Sequence, residues 1–332
     1  MTDPRRRLGP VVRLAPAKLN LTLAVVGRRD DGYHALHSVM VPLGLADRLS
    51  LAAAPPGAPD SLHRTGRDAG PIGDDLVLRA IRLVRAALPR RPFGDDPAPP
   101  VAARLEKRIP VAAGLGGGSS DAAAALDAVL ELWGADVPAE RRLAIAAGIG
   151  SDVPFFLARG PALVEGRGER VTPLGWLRTG DDSAAVLLVT PAVPLPTPAV
   201  FAAYAAGHRA GGAARLASEH LAGELRDGRL GARDLLARAA VLASANDLAP
   251  AADAVEPGLV PFRRSLVRAL GRPVGLSGSG PTHWALYPSL DAARSAADEV
   301  GAAVAAGRIV LPGDAPPAIH ATPILPPDGG PT

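Results

Sequence analysis

At residues 110 to 121 the chain reads Pro110-Val111-Ala112-Ala113-Gly114-Leu115-Gly116-Gly117-Gly118-Ser119-Ser120-Asp121. Four of these residues are glycines and two are serines, and an alanine-rich apolar run follows at once. Glycine adopts positive φ angles and lets a ligand approach the backbone closely. A glycine loop that enters a helix presents backbone N–H groups at the positive end of the helix dipole. The stretch therefore predicts a binding site for an anion, most often a phosphate.

This loop differs from both common phosphate-binding motifs. The P-loop pattern GxxxxGK(S/T) is absent because no lysine follows the glycines, and Ser119 stands where GxGxxG needs its last glycine. A flexible Gly/Ser linker is the alternative interpretation, since such linkers commonly join polar segments. The context favours a binding loop, because residues 101–109 alternate like a strand before it and a helix-forming run comes after it.

The composition predicts a cytoplasmic protein with a large apolar core. Of the 332 residues 48% are hydrophobic and none is cysteine, which excludes disulfides and thiolate metal sites. No apolar run is long enough to span a bilayer, and Pro10 and Pro16 interrupt the segment after the basic N-terminus, so we expect neither a membrane partner nor a leader peptide. The net charge is only +3 and aromatic residues are 3%, so we expect no nucleic-acid partner.

Two lysines stand out in a chain that otherwise uses arginine. Of the 36 basic residues, only Lys18 and Lys107 are lysines. A compact ammonium and a planar guanidinium are not interchangeable at a tight site. Lys18 shares the polar face of an alternating segment, 18–26, with Asn20, although an ordinary half-buried strand shows the same pattern. Lys107 lies just before the glycine loop, where a place near a bound nucleotide and a charge at a strand end both account for it.

Three further residues are candidates for a site. Tyr33 and His34 follow a glycine turn, and they either anchor a loop or stack on and hydrogen-bond the ring of a ligand. Asp152 lies in the stretch Gly150-Ser151-Asp152-Val153-Pro154-Phe155-Phe156. Capping of the helix that follows is the more common role of such an aspartate. A carboxylate between a glycine turn and an apolar stretch is also a candidate general base.

The hydrophobic pattern predicts a mixture of strands and helices. The predicted strands are 11–14, 18–26, 38–43, 47–51, 101–109, 162–165, 169–173, 184–190, 274–277 and 283–287. The predicted helices are 75–88, 122–132, 139–147, two or three within 199–243, 259–270 and 290–305. The Pro-rich stretches 52–73 and 90–100 read as exposed connections, and residues 324–332 as a disordered tail. The order strand, glycine turn, strand, helix over 274–305 is typical of half a ferredoxin-like unit.

Three segments occur together in the chain: Pro16-Ala17-Lys18-Leu19-Asn20-Leu21-Thr22-Leu23, the glycine stretch, and Leu276-Ser277-Gly278-Ser279-Gly280-Pro281. In this order and spacing they resemble the GHMP kinase superfamily, which includes galactokinase, homoserine kinase and mevalonate kinase. Asp31-Gly32-Tyr33-His34 and residues 150–156 narrow the resemblance to kinases of a cytidyl diphosphate of methylerythritol. The resemblance covers most of residues 11 to 290.

The resemblance implies an α+β fold of two domains. Residues 1–180 would form an N-terminal ATP domain of the ribosomal-S5-domain-2-like type, and residues 181–323 a C-terminal ferredoxin-like domain. The implied reaction is transfer of the γ-phosphoryl group of ATP, with Mg²⁺, to the 2-hydroxyl of the cytidyl substrate. This is a step of the non-mevalonate route to isoprenoid precursors. A monomer and a homodimer both fit the sequence.

The resemblance also implies roles for individual residues. Lys18 and Asp152 match the catalytic pair, and Asn20, Tyr33 and His34 match residues that serve the substrate. The implied ATP-binding residues are Pro110, Val111, Ala112, Ala113, Gly114, Leu115, Gly116, Gly117, Gly118, Ser119 and Ser120, and Lys107 is a further candidate. For Mg²⁺, either the phosphates provide most of the coordination, or Ser120 is the first candidate ligand and Asp121 the second. No cytidine contact is assigned within residues 190–197.

Two other functions remain open from the sequence. One is a GHMP kinase for a different small alcohol, against which the Tyr33-His34 pair and the surroundings of Asp152 argue. The other is a nucleotide-binding sensor that has kept the fold and lost catalysis. Such a sensor is expected to lack Lys18 or Asp152, and both residues are present. A substrate panel separates the first alternative, and a kinase assay the second.

Overall fold

The computed structural model describes residues 9–30, 32–67, 75–88, 98–175, 184–207 and 212–327. The elements of the N-terminal half are β1 (Val11–Asn20), β2 (Ala24–Arg28), β3 (His34–Ala53), β4 (Ser61–Gly66), α1 (Leu76–Ala87), β5 (Val101–Lys107), α2 (Gly117–Leu132), α3 (Ala139–Ile149), α4 (Val153–Leu157), β6 (Ala162–Gly166) and β7 (Arg170–Pro173). Those of the C-terminal half are β8 (Ala185–Thr190), α5 (Thr197–Gly207), α6 (Ala213–Arg226), α7 (Ala232–Ala237), α8 (Ala239–Ser244), α9 (Ala249–Val255), α10 (Leu259–Leu270), β9 (Gly275–Leu276), β10 (His283–Tyr287), α11 (Leu290–Ala305) and β11 (Ala318–Pro323).

The N-terminal sheet is built on β3, which is 20 residues long. One edge of β3 pairs with β2 and β1, and the other edge pairs with β6 and β5. β7 extends the sheet beyond β6, and β4 pairs with β5 in parallel. Apolar side chains of α1, α2 and α3 form one core with this sheet. The prediction of two separate strands, 38–43 and 47–51, is therefore wrong, because one continuous bent strand covers both.

The bend in β3 comes from a bulge opposite Ala17. Pro16 pairs with Ala46 and Lys18 pairs with Pro42, so three residues of β3, 43–45, lie opposite one residue of β1. A bulge of this kind bends the strand and re-aims neighbouring side chains. It also lets β1 continue through Pro16, whereas the sequence predicts a strand that ends there, because proline is tolerated at a bulge. The bulge lies directly behind Lys18.

The C-terminal sheet has the strand order β11-β8-β10-β9, and each neighbouring pair is antiparallel. With α10 before β9 and α11 after β10, this is the ferredoxin-like arrangement that the sequence predicts. Alternate residues of β8 face opposite sides of the sheet. Leu187 packs with α10 and α11, while Leu188 belongs to a core that also contains Leu19 and Val41 of the N-terminal half. The two halves therefore share one apolar core.

The structure corrects three further expectations. Residues 61–66, within a predicted connection, form the edge strand β4; Leu62 is its one buried residue, so the sequence shows no alternation there. The described residues between 197 and 244 form four helices instead of two or three. Residues 324–327, predicted to be disordered, are ordered against the N-terminal sheet, and 328–332 lie outside the described residues. The predicted domain boundary at 180/181 also falls outside them.

None of the helices in the described ranges is both long and apolar enough to cross a lipid bilayer.

The shared core predicts that Leu188→Ala destabilises the whole protein. Leu188 is fully buried, and truncation of such a side chain to alanine costs about 2–5 kcal/mol of the free energy of unfolding. Leu216, which is 68% exposed on α6, provides the control, since Leu216→Ala is expected to change that free energy by less than about 0.5 kcal/mol. Urea denaturation followed by circular dichroism measures both. Equal midpoints for the two variants would contradict a shared core at β8.

Candidate active site

The glycine loop reaches α2 through backbone angles that suit glycine. Gly114 and Gly116 have φ angles of +74° and +69°, and Gly116 lies at the N-cap of α2. A Cβ atom on Gly114 would lie 2.3 Å from the carbonyl oxygen of Ser277, and one on Gly116 would lie 2.9 Å from Cγ of Lys18. Both glycines are therefore required, one by the C-terminal half and one by Lys18.

The turn at 276–281 supports this loop from the C-terminal half. The Ser277 hydroxyl donates a hydrogen bond to the carbonyl of Gly114 at 3.0 Å. The side-chain amide of Asn246 donates to the carbonyls of Leu276 and Gly278 at 2.9 and 2.8 Å, and its oxygen accepts from Leu248 N. Asn246 is thus a brace for the turn rather than the N-cap of α9, which begins at Ala249.

A chain of buried polar groups runs from the cavity into the sheet. Lys18 Nζ donates to Asn20 Oδ1 at 2.6 Å, and Asn20 Nδ2 donates to Ser38 Oγ at 2.8 Å. Ser38 Oγ in turn donates to the carbonyl of Thr22 at 2.5 Å. The two polar residues that the sequence aligns on one strand face are therefore in direct contact. Because each amide and hydroxyl is engaged, the ammonium of Lys18 is held in one position.

Asp152 lies opposite this ammonium. Its Oδ2 is 3.7 Å from Lys18 Nζ, and its side chain is 32% exposed while that of Lys18 is 5% exposed. Asp152 precedes α4, yet its carboxylate accepts no hydrogen bond from the first turn of that helix. The more common capping role is therefore not the one it has here. Burial lowers the pKa of Lys18, and the charge of Asp152 opposes part of that effect.

The second lysine is enclosed by two carboxylates. Lys107 Nζ donates to Asp121 Oδ2 at 2.6 Å and also to Asp47 Oδ2, and all three side chains are buried. Burial opposes the charged ammonium, but the two carboxylates outweigh it and raise the pKa of Lys107. Burial, with the charge of Asp47, raises the pKa of Asp121 to about 8 despite the opposing effect of Lys107. The sequence shows Lys107 but gives no sign of its two partners, which are distant in the chain.

These groups surround a cavity of about 520 Å³. Its wall contains the following residues predicted from the sequence: Lys18, Asn20, Lys107, Pro110, Val111, Ala112, Ala113, Gly114, Gly116, Gly117, Gly118, Ser119 and Asp152. Leu115 and Ser120 belong to the predicted stretch but are buried behind the described part of the wall. Leu115 still contributes through its backbone, since its carbonyl accepts a hydrogen bond from Lys18 N at 2.9 Å.

The predicted ring-binding pair lies beside the cavity rather than in its described wall. His34 stacks on Phe201, with ring centroids 5.3 Å apart, and meets Tyr204 edge-on. Tyr33 is 55% exposed, and the guanidinium of Arg167 lies over its ring at 5.6 Å. Phe201 does line the cavity, so an aromatic group connects the predicted pair to it. Asp31, the first residue of that motif, is outside the described residues.

Sequence reasoning missed several residues of the wall. Thr197 and Ser279 bring their hydroxyls to 2.9 Å of each other, and Arg64 lies 3.3 Å from Asp75, which caps α1. Phe201 is one of only five phenylalanines in the chain, and that scarcity is a signal that could have drawn attention to it. Arg64 gave no such signal, because its strand β4 was not predicted.

A metal ion finds few ready protein ligands. Within the described ranges, no group of three or more His, Asp or Glu side chains is placed to bind one. Ser120 Oγ and Asp121 Oδ1 are buried there without a hydrogen-bond partner. Of these two residues only Asp121 lines the described wall of the cavity.

Fold and site together define a class of small-molecule kinases. The sequence matches the GHMP kinases N terminal domain over residues 75–160 and the GHMP kinases C terminal domain over residues 223–306. The chain belongs to the GHMP kinase family, whose members use ATP as the phosphoryl donor.

Individual proteins that this chain is similar to have names more specific than that of the family. A 4-diphosphocytidyl-2-C-methyl-D-erythritol kinase of Paramagnetospirillum magneticum is 41% identical over 87% of this chain and 93% of that protein. A protein of the same name from Rhizobium meliloti is 39% identical over 87% and 90%. A crystal structure of 4-(cytidine 5'-diphospho)-2C-methyl-D-erythritol kinase is 34% identical and superposes with a TM-score of 0.65 over 94% of this chain and 99% of the other.

The enclosed lysine cluster predicts a fall in stability as the pH rises from 6 to 9. Asp121 has an ordinary pKa of 3.8 and a folded-state pKa of about 8. Between these values the folded protein holds a proton that the unfolded chain has lost, so the free energy of unfolding decreases with rising pH and that contribution is gone above the folded pKa.

Urea denaturation at pH 6 and pH 9 measures this effect. Asp121→Asn removes the titrating group, and its loss of stability across the interval should be smaller than that of the wild type. Asp298→Asn, on the exposed face of α11, is the control and should lose as much stability as the wild type. A wild type and an Asp121→Asn variant with equal losses would contradict the expectation.

Proposed function

We propose that this protein is an ATP-dependent kinase that phosphorylates the 2-hydroxyl of 4-diphosphocytidyl-2-C-methyl-D-erythritol. The observation that carries the proposal is the approach of Lys18 and Asp152, 3.7 Å apart, in a cavity whose wall includes the glycine loop. The names and the identities of the relatives support the choice of substrate. In phosphoryl transfer an ammonium can offset charge on the phosphoryl oxygens, and a carboxylate can accept the proton of the attacking hydroxyl.

In the proposed reaction the glycine loop binds the phosphates of ATP. The N–H groups at the start of α2, with the positive end of its dipole, offset the negative charge of the phosphates. Lys18 adds a localised positive charge beside the γ-phosphate. Such fixed charges stabilise the charge on the phosphoryl oxygens without having to reorganise during the reaction.

Asp152 acts on the substrate hydroxyl. Its carboxylate accepts a hydrogen bond from that hydroxyl and takes its proton as the oxygen bonds to the γ-phosphorus. The bond from that phosphorus to the oxygen bridging the β- and γ-phosphates breaks at the same time, and ADP leaves. A positioned base of this kind contributes about 10²- to 10⁴-fold in rate. The exposure of Asp152 on the cavity side suits a group that meets a substrate.

Mg²⁺ fits the site as an ion held mainly by the phosphates. Asp121 Oδ1, a buried oxygen without a partner at the cavity wall, is the protein atom we assign to it, and the carboxyl would lose its proton when the ion binds. When bound, the ion neutralises charge on the phosphate oxygens.

The cytidine half of the substrate is assigned to the aromatic side of the cavity. Phe201 lines the wall there and stacks on His34, and Tyr33 precedes His34 in the same turn. Aromatic rings stack on a base, and an imidazole can hydrogen-bond its edge. We assign Asn20 to the methylerythritol half because its amide is next to Lys18.

Phosphorus-31 NMR tests the proposed function directly. Purified protein is incubated with ATP, Mg²⁺ and 4-diphosphocytidyl-2-C-methyl-D-erythritol, and we expect a new phosphomonoester resonance together with ADP. Mevalonate and homoserine, tested in parallel, should give none. ADP without a new ester, or an ester only with another alcohol, would overturn the proposal.

The catalytic assignment predicts that Asp152→Asn lowers kcat by about 10² or more with little change in KM. Asparagine keeps the size and the hydrogen bonding of aspartate but removes its charge. Lys18→Arg should lower kcat by a similar factor, since Lys18 is buried with Nζ 2.6 Å from Asn20 Oδ1, and a planar guanidinium cannot take the place of the compact ammonium there. Steady-state kinetics measures both variants. Near-normal kcat in Lys18→Arg would show that any positive charge suffices.

The ring assignment predicts that Tyr33→Ala raises KM for the cytidyl substrate several-fold and leaves KM for ATP nearly unchanged. Removal of the ring takes away stacking area on one substrate only. Val26→Ala, at an exposed position of β2, is the control and should alter neither constant. If both KM values rise together in Tyr33→Ala, the tyrosine anchors the loop and does not bind the base.

A further inference from the structure

The last described residues of the chain, 322–327, lie against the bulge of β3; we name them the tail segment. Leu45 N donates to Thr322 Oγ1 at 2.7 Å. Leu43 pairs with Ile324 in an antiparallel bridge, and Leu325 N donates to the carbonyl of Pro42 at 2.9 Å. The tail segment therefore hydrogen-bonds or pairs with β3 on both sides of Gly44, between the part of β3 that pairs with β6 and the part that pairs with β5.

The contact is close and excludes solvent. Thr322 and Ile324 are 2% and 3% exposed. A Cβ atom on Gly44 would lie 2.8 Å from Cδ and Cγ of Pro323, so the ring of Pro323 rests directly on the backbone of β3. Leu45 N is satisfied by a side chain of the tail segment instead of by a neighbouring strand. Loss of that acceptor would leave a poorly hydrated N–H group without a partner, which is costly.

The bulge begins next to Pro42, the residue of β3 that pairs with Lys18. Around it, the pairing of β1 with β3 shifts between Pro16 and Lys18. The backbone N–H of Lys18 is directed to the glycine loop, where it donates to the carbonyl of Leu115 at 2.9 Å. A change in the bulge would therefore move both the ammonium of Lys18 and its link to the glycine loop.

We propose that the tail segment is a positioning element, which holds the bulge of β3 so that Lys18 is correctly placed against the glycine loop. Thr322 is its main positioning residue. The inference rests on the role of Lys18 in the proposed function. It adds a requirement to that function: β3 needs the tail segment to keep the bulge that lies beside Lys18 of β1.

The kinetic test compares Thr322→Val with Thr322→Ser. Valine keeps the branched shape and removes the acceptor for Leu45 N, whereas serine keeps the hydroxyl. We expect Thr322→Val to lower kcat at least about tenfold with KM for ATP within about twofold, because small displacements of reacting groups are costly in rate. Thr322→Ser should have near-wild-type kcat. Gly44→Ala, which pushes against Pro323 from the other side, should lower kcat in the same way.

Truncation supplies a matched control. A chain that stops after Pro323 loses the bridge to Leu43 and should show the same fall in kcat. A chain that stops after Pro327 keeps the whole tail segment and should behave as the wild type. Thermal melting identifies any variant that fails to fold, and the Thr322 pair then decides the question.

A second readout does not depend on activity, because the chain has only two lysines. Protein labelled with ¹⁵N-lysine gives two backbone amide signals, and Lys18→Arg identifies the signal of Lys18. In Thr322→Val the amide signal of Lys18 should move, and its hydrogen should exchange with solvent at least about tenfold faster, since its hydrogen bond to Leu115 is weakened. The signal and the exchange rate of the Lys107 amide should stay unchanged.

The outcomes separate this inference from the proposed function. If the wild type does not phosphorylate the cytidyl substrate, the proposed function fails. The Lys18 amide signal of Thr322→Val still tests whether the tail segment positions Lys18. An unchanged Lys18 amide and unchanged kcat in Thr322→Val would overturn the inference. So would equal shifts of both lysine amides, which indicate general loosening, or a Thr322→Ser variant as impaired as Thr322→Val.

Discussion

The hydrogen bond from the backbone of Lys18 to the carbonyl of Leu115 is the link on which the site depends. It joins a strand of the N-terminal sheet to the loop that leads into α2. On its far side the same loop touches the turn at 276–281, where Ser277 leaves no space for a side chain on Gly114. Strand, loop and turn come from three distant parts of the chain, and this hydrogen bond and this steric contact hold them at fixed separations.

The two lysines have opposite surroundings. Lys107 is enclosed by Asp47 and Asp121, so its charge is compensated within the protein. Lys18 has one carboxylate, at 3.7 Å, and a neutral amide as its nearer partner, so its charge remains available to an anion in the cavity. Through these ion pairs Lys107 joins Asp121, in the first turns of α2, to Asp47 of β3.

The sequence predicted the helices and strands whose apolar residues follow a clear pattern. The helices at 259–270 and 290–305 and the strand 283–287 are confirmed at their predicted bounds, and α1 and the 162–173 hairpin within one or two residues. The helices each have one apolar face, and the strand 283–287 is buried throughout. The bulge of β3 could not be predicted, since it depends on pairing with residues more than twenty positions away in β1. β4 has one buried residue and so lacked a pattern.

The residues of the site also divide into those with a local sequence signal and those without one. The glycine loop could be recognised from its composition, and Lys18 and Asn20 from the alternation of residues 18–26. All of them line the cavity or contact a residue that does. The partners of Lys107 were not recognisable, because ion pairs between distant residues leave no local signature. The order of residues 324–327 was also missed, because Pro-rich termini are usually disordered. These residues are ordered because they pair with β3 at its bulge, which the sequence did not predict.

The shared apolar core has a consequence for how this protein can be divided. Leu19 and Val41 on one side and Leu188 and Trp284 on the other bury one another, so neither half has a core of its own at this face. A gene fragment that encodes either half would produce a polypeptide with a large exposed apolar surface, which would tend to associate with itself or with chaperones. Each half therefore depends on the other for the burial of this face.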